Sequence, residues 1–316
     1  MSRHTPLTLA VLGATGRLGR AVAGEARARG HDVIAVTRTG RADSVPASRH
    51  RAADAMEVGA LVRAVEGADV VFNGLNPPYT RWRRAALPMA HNVMAACAAA
   101  GAVHLFPGNV YNFGRVMPPD LGPDTPQRPD TRKGRLRTEM EALFETAARD
   151  GRVRTAILRA GDFFGGPVAG SWFDLVLTSK LSKGTFTYPG PMDVPHAWAY
   201  LPDLAAAVVD RAERHDALPR FGCETFGGHT ATGGEMKAAL SRALGRPLAV
   251  AHLPWGAIRT MGVVHPMSRE IAELRYLWST PHRLTGAPSR TPFETAVALA
   301  LASLSLGPAI QSRPTA

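Results

Sequence analysis

The chain has 316 residues, 45% of them hydrophobic, which is enough for one large α/β domain with a smaller lobe or for two domains. Its two cysteines, Cys97 and Cys223, are far apart in sequence and exclude a disulfide framework or a zinc site. No apolar run reaches the roughly 18 residues that span a bilayer, and the apolar N-terminal stretch is too short for a signal peptide. We therefore expect a cytoplasmic protein with no metal and no membrane contact.

The net charge of +11 raises the question of a nucleic-acid partner, because clustered cations neutralise phosphates. Most arginines, however, are scattered over helix-like segments with acidic neighbours, and only Arg81, Arg83 and Arg84 form a tight cluster around Trp82. This distribution favours a solvated surface over a nucleic-acid groove. We expect a small-molecule substrate, and the excess of positive charge suits an anionic substrate or a phosphorylated cofactor. A homodimer stays open.

Short apolar strands alternate with longer amphipathic segments along the first half of the chain. The pattern predicts strands at 7–12, 31–38, 50–54, 68–73, 103–106 and 155–160, and helices at 16–29, 56–66, 79–100 and 134–150. Strands separated by helices of this length form parallel βαβ units wound onto both faces of one sheet. The expected fold class is α/β, a doubly wound parallel Rossmann sheet with a smaller C-terminal substrate-binding lobe.

The pattern changes beyond the strand at 155–160, where short strands and loops precede several helices. We expect a dinucleotide-binding domain over residues 1–165 whose sheet is completed by later strands, a substrate-binding lobe over 166–307, and a flexible tail over 308–316. Residues 112–131 are rich in Pro, Gly and Asp. A loop of this length inside a compact domain is usually a functional lid or a flexible connection.

A glycine motif, GATGRLG, follows the first predicted strand and opens the first predicted helix. Gly13 permits the tight turn, Gly16 lets the backbone approach a pyrophosphate, and Gly19 lets the helix lie close to the strand. The free N–H groups at the start of the helix then face the phosphates. A glycine-rich turn without a ligand is the alternative, but this placement predicts a dinucleotide site. Its candidate residues are Gly13, Thr15, Gly16, Arg17, Leu18 and Gly19.

The end of the second strand indicates which dinucleotide binds. A site for NAD(H) offers a carboxylate to the ribose hydroxyls, whereas the 2′-phosphate of NADP(H) needs a cation. The strand ends at Arg38 with no acid at 36–38, so NADP(H) is favoured over NAD(H), although a surface arginine is the alternative. Asp54 is placed to hold the adenine amino group or to cap the next helix. Asn73 and Asn76 follow the fourth strand, at the sheet edge where ligands of such folds bind.

The chain resembles the extended and atypical branch of the short-chain dehydrogenase/reductase superfamily, with its nucleotide-sugar epimerase/dehydratases, nitrogen-regulator-like dinucleotide sensors and isoflavone/pinoresinol-type reductases. The resemblance covers about residues 7–300. It rests on GATGRLG at 13–19, GNVYNFG at 108–114, LRAGDFFGGP at 158–167 and WAYLPDLAAAVV at 198–209. These motifs are specific for the superfamily and not for a substrate. They imply a Rossmann fold that binds NAD(P) for oxidoreductase or epimerase chemistry.

The sequence departs from the catalytic set of that superfamily, which is a Ser or Thr, a Tyr, and a Lys four residues after the Tyr. Pro107, Gly108 and Asn109 occupy the place of the first hydroxyl, and Asn109 is kept as a candidate. Lys133 occupies the place of the Tyr and Arg137 that of the Lys. The isoflavone/pinoresinol-type reductases resemble this version better, because they carry a lysine followed by an arginine at this spacing and use the lysine as the acid–base group.

Two functional roles are open for Lys133. Burial, the like charge of Arg137 and the helix dipole would all favour its neutral amine, which could then act as a general acid near neutral pH. Lys133 and Arg137 could instead anchor the ribose or phosphate of the cofactor, and a solvated lysine at a helix start is the remaining reading. Tyr111, two residues beyond Asn109, is the second candidate proton donor.

Several other side chains suit either a substrate pocket or a core. His196 could line the substrate lobe, although a lone histidine is more often structural. Aromatic residues in the second half suggest an apolar pocket over the nicotinamide, but at their spacing such residues are more often core. They are Phe163, Phe164, Trp172, Phe173 and Trp198.

Three functions compete. The expected one is an NADPH-dependent reductase of a small, fairly apolar carbonyl, enone or benzylic ether, with Lys133 as proton donor. The alternative is a redox-sensing regulator that binds NADP without chemistry, and the third is a nucleotide-sugar epimerase or dehydratase. The missing Ser/Tyr pair argues against the third. The long loop at 112–131 and the large C-terminal lobe argue against the second.

Overall fold

The computed structural model describes residues 5–42, 44–166 and 168–306, so the flexible tail expected at 308–316 lies outside the described residues. The strands in this part of the chain are β1 (Thr8–Leu12), β2 (Asp32–Thr37), β3 (Arg49–Ala52), β4 (Val70–Asn73), β5 (Val103–Gly108), β6 (Asp120–Leu121), β7 (Thr155–Arg159), β8 (Asp162–Phe164), β9 (Thr185–Tyr188), β10 (His196–Tyr200), β11 (Phe221–Ala231), β12 (Ala249–His252), β13 (Arg283–Leu284) and β14 (Ala287–Pro288).

The α-helices are α1 (Arg17–Ala28), α2 (Val58–Val65), α3 (Trp82–Ala100), α4 (Arg132–Arg149), α5 (Leu201–Ala212), α6 (Gly233–Leu244), α7 (Trp255–Met261), α8 (Pro266–Ala272) and α9 (Phe293–Ser303). A 3₁₀ turn, Tyr79–Arg81, precedes α3, and another, Glu273–Trp278, continues α8. Within the described ranges, no helix combines the length and the apolar character needed to cross a membrane.

One large sheet organises the chain. Its strand order is β3-β2-β1-β4-β5-β7-β11-β10-β8, with β14 attached to β11. All neighbours run parallel except β10 and β11, which are antiparallel. The order turns back at β1, so the carboxyl ends of β1 and β4 border the crevice where ligands of such sheets bind. The predicted strands and the doubly wound parallel sheet are confirmed.

Helices cover both faces of the sheet because its central strands are apolar on both sides. On one face, α1 and α5 pack together over buried residues such as Val22 and Leu204. On the other face, α2, α3 and α4 bury a second cluster that includes Val93 and Phe144. The sheet therefore fixes the ends of β1, β2, β4, β5 and β7 along one edge, where the candidate ligand site lies.

The C-terminal lobe has an aromatic core. Strands β9 and β12 form a small parallel sheet, and α6 packs against α9. The rings of Tyr188 and Trp278 are fully buried and meet edge to face at 5.5 Å. Of the residues considered for a substrate pocket, Phe164, Phe173 and Trp198 belong to this core, with exposed fractions of at most 1%. For these three the alternative reading, as core residues, holds.

A buried polar chain fixes the loop at 112–131, which has less regular structure than any other stretch of the first half. Asn112 donates a hydrogen bond to Gln127 at 2.9 Å, and Gln127 donates to Glu141 on α4 at 2.7 Å. Glu141 also accepts a hydrogen bond from the buried guanidinium of Arg159 at 2.8 Å. The short strand β6 inside the loop pairs with β13 of the lobe. The loop is therefore anchored at both ends and in its middle.

Candidate functional site

The glycine motif forms a tight turn at the end of β1. Gly13 has φ +70°, a conformation that favours glycine, and a Cβ there would lie 2.9 Å from the carbonyl oxygen of Gly74 after β4. A Cβ on Gly19 would overlap the carbonyl oxygen of Gly13. Both contacts arise because α1 begins directly against the two strands. The glycines at 13 and 19 are therefore required by close approach of backbone to backbone, as predicted.

The start of α1 is open to a ligand. Thr15 and Gly16 are exposed, and Gly16 is the extended residue that precedes the helix, so its neighbours present free N–H groups. Leu18 is buried in the core beneath α1. Arg17, however, turns away toward the lobe and donates to Asp174 at 2.6 Å and to the carbonyl of Gly165 at 2.8 Å. The loop thus offers backbone groups, while its arginine already has partners.

Arg38 stands at the carboxyl end of β2, next to the glycine turn. Its side chain is exposed and makes no hydrogen bond or ion pair with any other described residue. Asp54 lies beyond the end of β3, where its carboxylate accepts a hydrogen bond from the N–H of Met56 at 2.9 Å. Asp54 therefore closes a turn before α2, and its exposed side chain stays at the edge of the crevice.

A pocket with an empty volume of ≈ 330 Å³ opens between the loop after β4, the first turns of α3, and α4. Asn76 and Arg137 line it. Asn73, also at its wall, is buried and lies 3.2 Å from Nε2 of His104, so its orientation is fixed from behind. Three residues singled out in the sequence, Asn73, Asn76 and Arg137, therefore meet at one opening.

Arg137 is held by aromatic rings rather than by an acid. Its guanidinium carbon lies 5.0 Å from the ring centres of both Trp82 and Phe106. Only 9% of the residue is exposed, and its Nε and Nη1 have no hydrogen-bond partner among the described residues. Burial lowers the pKa of the guanidinium, but an arginine stays charged in proteins. A buried cation with free N–H groups at a pocket wall is a donor available to a ligand.

Lys133 meets a different environment from the expected one. Its amine is buried and donates to the Glu270 carboxylate, to Glu273 Oε2 at 2.9 Å and to the carbonyl of Glu270 at 3.1 Å. It also lies 5.2 Å from the centre of the Tyr79 ring. The expected like-charge contact with Arg137 does not form, because Arg137 is stacked on Trp82 and Phe106. Lys133 is therefore ion-paired with two carboxylates, where the sequence suggested a like-charged neighbour.

A pair of tyrosine hydroxyls lies beside Lys133. The hydroxyls of Tyr79 and Tyr111 are 2.9 Å apart, so one donates to the other. Burial raises the pKa of Tyr111 well above its ordinary value and also raises that of Tyr79. Asn109 accepts a hydrogen bond from the N–H of Tyr111 at 3.0 Å and so shapes the turn after β5. The structure thus brings Tyr111, Lys133 and Arg137 together around Tyr79.

Sequence reasoning missed four residues at this site. Tyr79 stands within the predicted third helix, where nothing distinguishes it from a surface residue. Glu270 and Glu273 lie 137 and 140 residues beyond Lys133, so no local pattern connects them to it. Asp162, inside the LRAGDFFGGP motif, contacts the ring of His196. The sequence did contain one signal for Asp162 as a site residue, because it lies just after a predicted strand, at the carboxyl edge of the sheet.

Comparison with known proteins agrees with this geometry. Residues 13–153 match the model of a family described as NAD(P)H-binding. The chain is similar in structure to UDP-N-acetylglucosamine 4-epimerase from Bacillus cereus, with a TM-score of 0.73, 15% identity, and coverage of 95% of this chain and 99% of that one. It is also similar to UDP-glucose 4-epimerase from Brucella ovis in complex with NAD, with a TM-score of 0.67, 17% identity, and coverage of 78% and 85%.

A nucleoside-diphosphate-sugar epimerase from Pseudomonas aeruginosa has a TM-score of 0.70 and 19% identity, over 95% of this chain and 98% of that one. No curated protein matches the sequence. At these identities the structural neighbours establish the fold alone. The expected Rossmann-like fold is thereby confirmed, and the family match supports the expected NAD(P)-binding domain over residues 13–153.

Gly19→Ala is expected to weaken dinucleotide binding by at least about 10-fold, because the added Cβ displaces the carbonyl of Gly13 and with it the phosphate-facing turn. Gly24→Ala, five residues further on α1, has nothing within 4 Å of the new Cβ and is the matched control. Titration of each folded variant with NADPH by calorimetry measures the difference. Equal affinities in the two variants would mean that this turn does not hold the cofactor.

Lys133→Met, which keeps the apolar stem, is expected to lower the free energy of unfolding by about 3 kcal/mol at neutral pH. Burial alone would raise the pKa of Glu273, but its hydrogen bonds and ion pair with Lys133 outweigh this and hold the pKa below 4.5. A depressed pKa contributes stability that is complete above the unfolded value of 4.5 and is lost as the pH falls through the lower, folded value. The deficit should therefore shrink as the pH is lowered from neutrality to below 4.5. Urea unfolding across this pH range tests this, with exposed Lys183→Met as the control.

Proposed function

We propose that the protein is an NADP(H)-dependent oxidoreductase that acts on a small, fairly apolar carbonyl, enone or benzylic ether. The observation that carries the proposal is the open start of α1 beside Arg38, which is exposed and has no partner among the described residues. Backbone N–H groups there suit a pyrophosphate, and the guanidinium suits the 2′-phosphate that separates NADP(H) from NAD(H). When bound, the cofactor supplies or accepts a hydride. A cytoplasmic location and a homodimer stay predictions.

The described residues fit a dinucleotide along the whole sheet edge. Gly13, Thr15 and Gly16 would face the pyrophosphate, and Asp54 would face the adenine. Beyond them, Arg137 lines the same pocket as Asn76, and its guanidinium would donate there to ribose hydroxyls or a phosphate. An arginine buried without an acidic partner is costly unless a ligand satisfies it. We assign Arg137 to the cofactor for this reason.

The contacts of Lys133 suit a structural role at the C-terminal lobe better than a role in proton transfer. The sequence suggested that its amine is the proton donor, but the amine is fully engaged by Glu270 and Glu273. A proton donor must come within about 3 Å of the reacting oxygen, and this amine would first have to leave two carboxylates. We therefore propose that Lys133 fixes α8 against α4. If Lys133→Met abolishes turnover without loss of stability, the donor role is correct instead.

A dinucleotide sensor without chemistry is the second candidate. It is favoured by one specific observation, the replacement of the catalytic Ser, Tyr and Lys positions by Asn109, Lys133 and Arg137 with Lys133 already ion-paired. The same replacement argues against sugar-nucleotide epimerisation, although UDP-glucose 4-epimerase from Brucella ovis is a structural neighbour. The hydroxyl pair of Tyr79 and Tyr111 and the carboxylate of Asp162, which stand near the carboxyl edge of the sheet, favour the enzyme over the sensor.

Oxidation of NADPH in the presence of a panel of aliphatic and aromatic ketones, enones and benzylic ethers distinguishes the two candidates. We expect the wild-type protein to reduce at least one compound of the panel. Its kcat/KM for that compound should exceed that of the Gly19→Ala variant, which is expected to bind the cofactor poorly. The absence of turnover across the panel, together with tight NADPH binding, would favour the sensor. Addition of a UDP-sugar with NAD tests the epimerase reading in parallel.

Arg38→Ala is expected to weaken NADPH binding by about 1.5–3 kcal/mol, one to two decades in affinity, and to leave NADH binding unchanged. The reason is the loss of a charge-assisted contact that only the phosphorylated cofactor makes. Arg49→Ala is the control, because Arg49 is exposed at the opposite end of the neighbouring strand, paired in register with Ile34. Calorimetric titrations with both cofactors measure the effect. Equal losses for NADPH and NADH would contradict the assignment.

A further inference from the structure

Asp162 and His196 form a pair at the carboxyl edge of the sheet that the assigned roles do not use. Nε2 of His196 lies 2.8 Å from Oδ2 of Asp162, although the residues are 34 positions apart in sequence. The contact follows from the pairing of β8 with β10, which begin with these two residues and run parallel. Asp162 follows Arg159, the last residue of β7, by only three positions, so it stands at the edge that Tyr111 reaches from β5.

His196 is held rigidly. Only 2% of the residue is exposed, and its ring is stacked on Trp278 with centroids 4.5 Å apart and planes 7° from parallel. The ring of His282 meets it edge-on at 4.7 Å. Nδ1 is buried without a partner in the described part of the chain, so a proton there would have no acceptor. The tautomer with its proton on Nε2 fits, and that proton is donated to Asp162.

Asp162 is the exposed member of the pair. Its side chain is 22% exposed, and no described residue donates a hydrogen bond to Oδ1. His196 therefore occupies one carboxylate oxygen and leaves the other without a donor among the described residues. The charge of Asp162 adds to the effect of burial in raising the pKa values of Tyr79 and Tyr111. Those hydroxyls consequently stay protonated at neutral pH, as neutral hydrogen-bonding groups near an anionic carboxylate.

We propose that Asp162, oriented by His196, is the acid–base group of this site, and that its free oxygen receives the hydroxyl of a secondary alcohol or the oxygen of the corresponding ketone. The inference rests on the proposed oxidoreductase function. It assigns the proton donor, a role for which Lys133 is not available because its amine is ion-paired with Glu270 and Glu273. The hydroxyls of Tyr79 and Tyr111 are near enough to Asp162 to feel its charge, and we place them on the same side of the substrate oxygen. Asp162 is the catalytic residue, and His196 is a positioning residue.

The proton and electron balance is simple in the direction of alcohol oxidation. The substrate O–H bond breaks and its proton passes to Oδ1 of Asp162. The C–H bond at the same carbon breaks, its hydride goes to the oxidised nicotinamide, and the remaining pair on oxygen forms the C=O bond. The alcohol is oxidised, the cofactor is reduced, and Asp162 later releases the proton to water. Ketone reduction is the reverse, with the protonated carboxyl as the acid.

Asp162→Asn is expected to lower kcat by ~10²–10⁴ and to leave NADPH affinity unchanged, since the amide keeps an oxygen for His196 and cannot take up a proton. Asp203→Asn is the matched control, because among the described residues that carboxylate accepts hydrogen bonds from Ser289 and Thr291 alone and should not affect turnover. His196→Phe keeps the stack on Trp278 but removes the donor, so kcat should fall about 10-fold. His196→Gln, which restores a donor, should recover part of it.

A second measurement does not need turnover. Trifluoroethanol is an alcohol that resists hydride abstraction, and it should bind the protein loaded with NADP⁺. In a ¹⁹F NMR titration, wild type should bind it with an affinity at least about 10-fold higher than that of Asp162→Asn. Equal binding to both would overturn the proposal, as would full turnover by a folded Asp162→Asn protein. If the panel gives no turnover while trifluoroethanol binding depends on Asp162, the oxidoreductase function fails and the hydroxyl-binding site stands. If Asp162→Asn does not fold, Asp162→Ser and His196→Phe replace it.

Discussion

The buried guanidinium of Arg159 is the interaction on which the candidate site depends. It donates to Glu141 on α4 and to the carbonyl of Asn109 after β5, and it reaches Cys223 on β11. Glu141 in turn holds Gln127 near the end of the long loop. One cation therefore sets the positions of the turn that carries Tyr111, the helix that carries Lys133 and Arg137, and the start of β8. Loss of one partner from such a buried pair costs about 3–5 kcal/mol, so the arrangement is firmly fixed.

The parts of the fold that local pattern determines could be predicted from the sequence. The glycines at 13 and 19 follow from a strand that passes directly into a helix, and apolar runs marked the central strands. Arg38 could be placed at the edge of the sheet because strand ends are local features. A few neighbouring residues determine each of these features, so they can be predicted without knowledge of long-range contacts.

The chemistry at the site could not be predicted in the same way, because it depends on residues that only the fold brings together. The environment expected for Lys133 was inferred from Arg137 on the same helix, whereas the deciding partners, Glu270 and Glu273, come from the end of the chain. His196 could be read as a lone histidine until the pairing of β8 with β10 placed Asp162 against it. The partners of Lys133 and His196 depend on where their side chains point in the folded protein, and not on their positions along the chain.

The contact between Arg17 and Asp174 would set two anions in competition for one cation if the cofactor binds as proposed. Arg17 belongs to the turn that we propose faces the pyrophosphate, yet its guanidinium is already paired with a carboxylate of the C-terminal lobe. A phosphate that drew Arg17 away would leave Asp174, whose side chain is 3% exposed, without its cation. Cofactor affinity and the docking of residues 168–174 would then be linked thermodynamically, and the coupling would be reciprocal. Whatever stabilised that segment in its present place would oppose the cofactor, and an occupied cofactor site would loosen the segment by the same free energy.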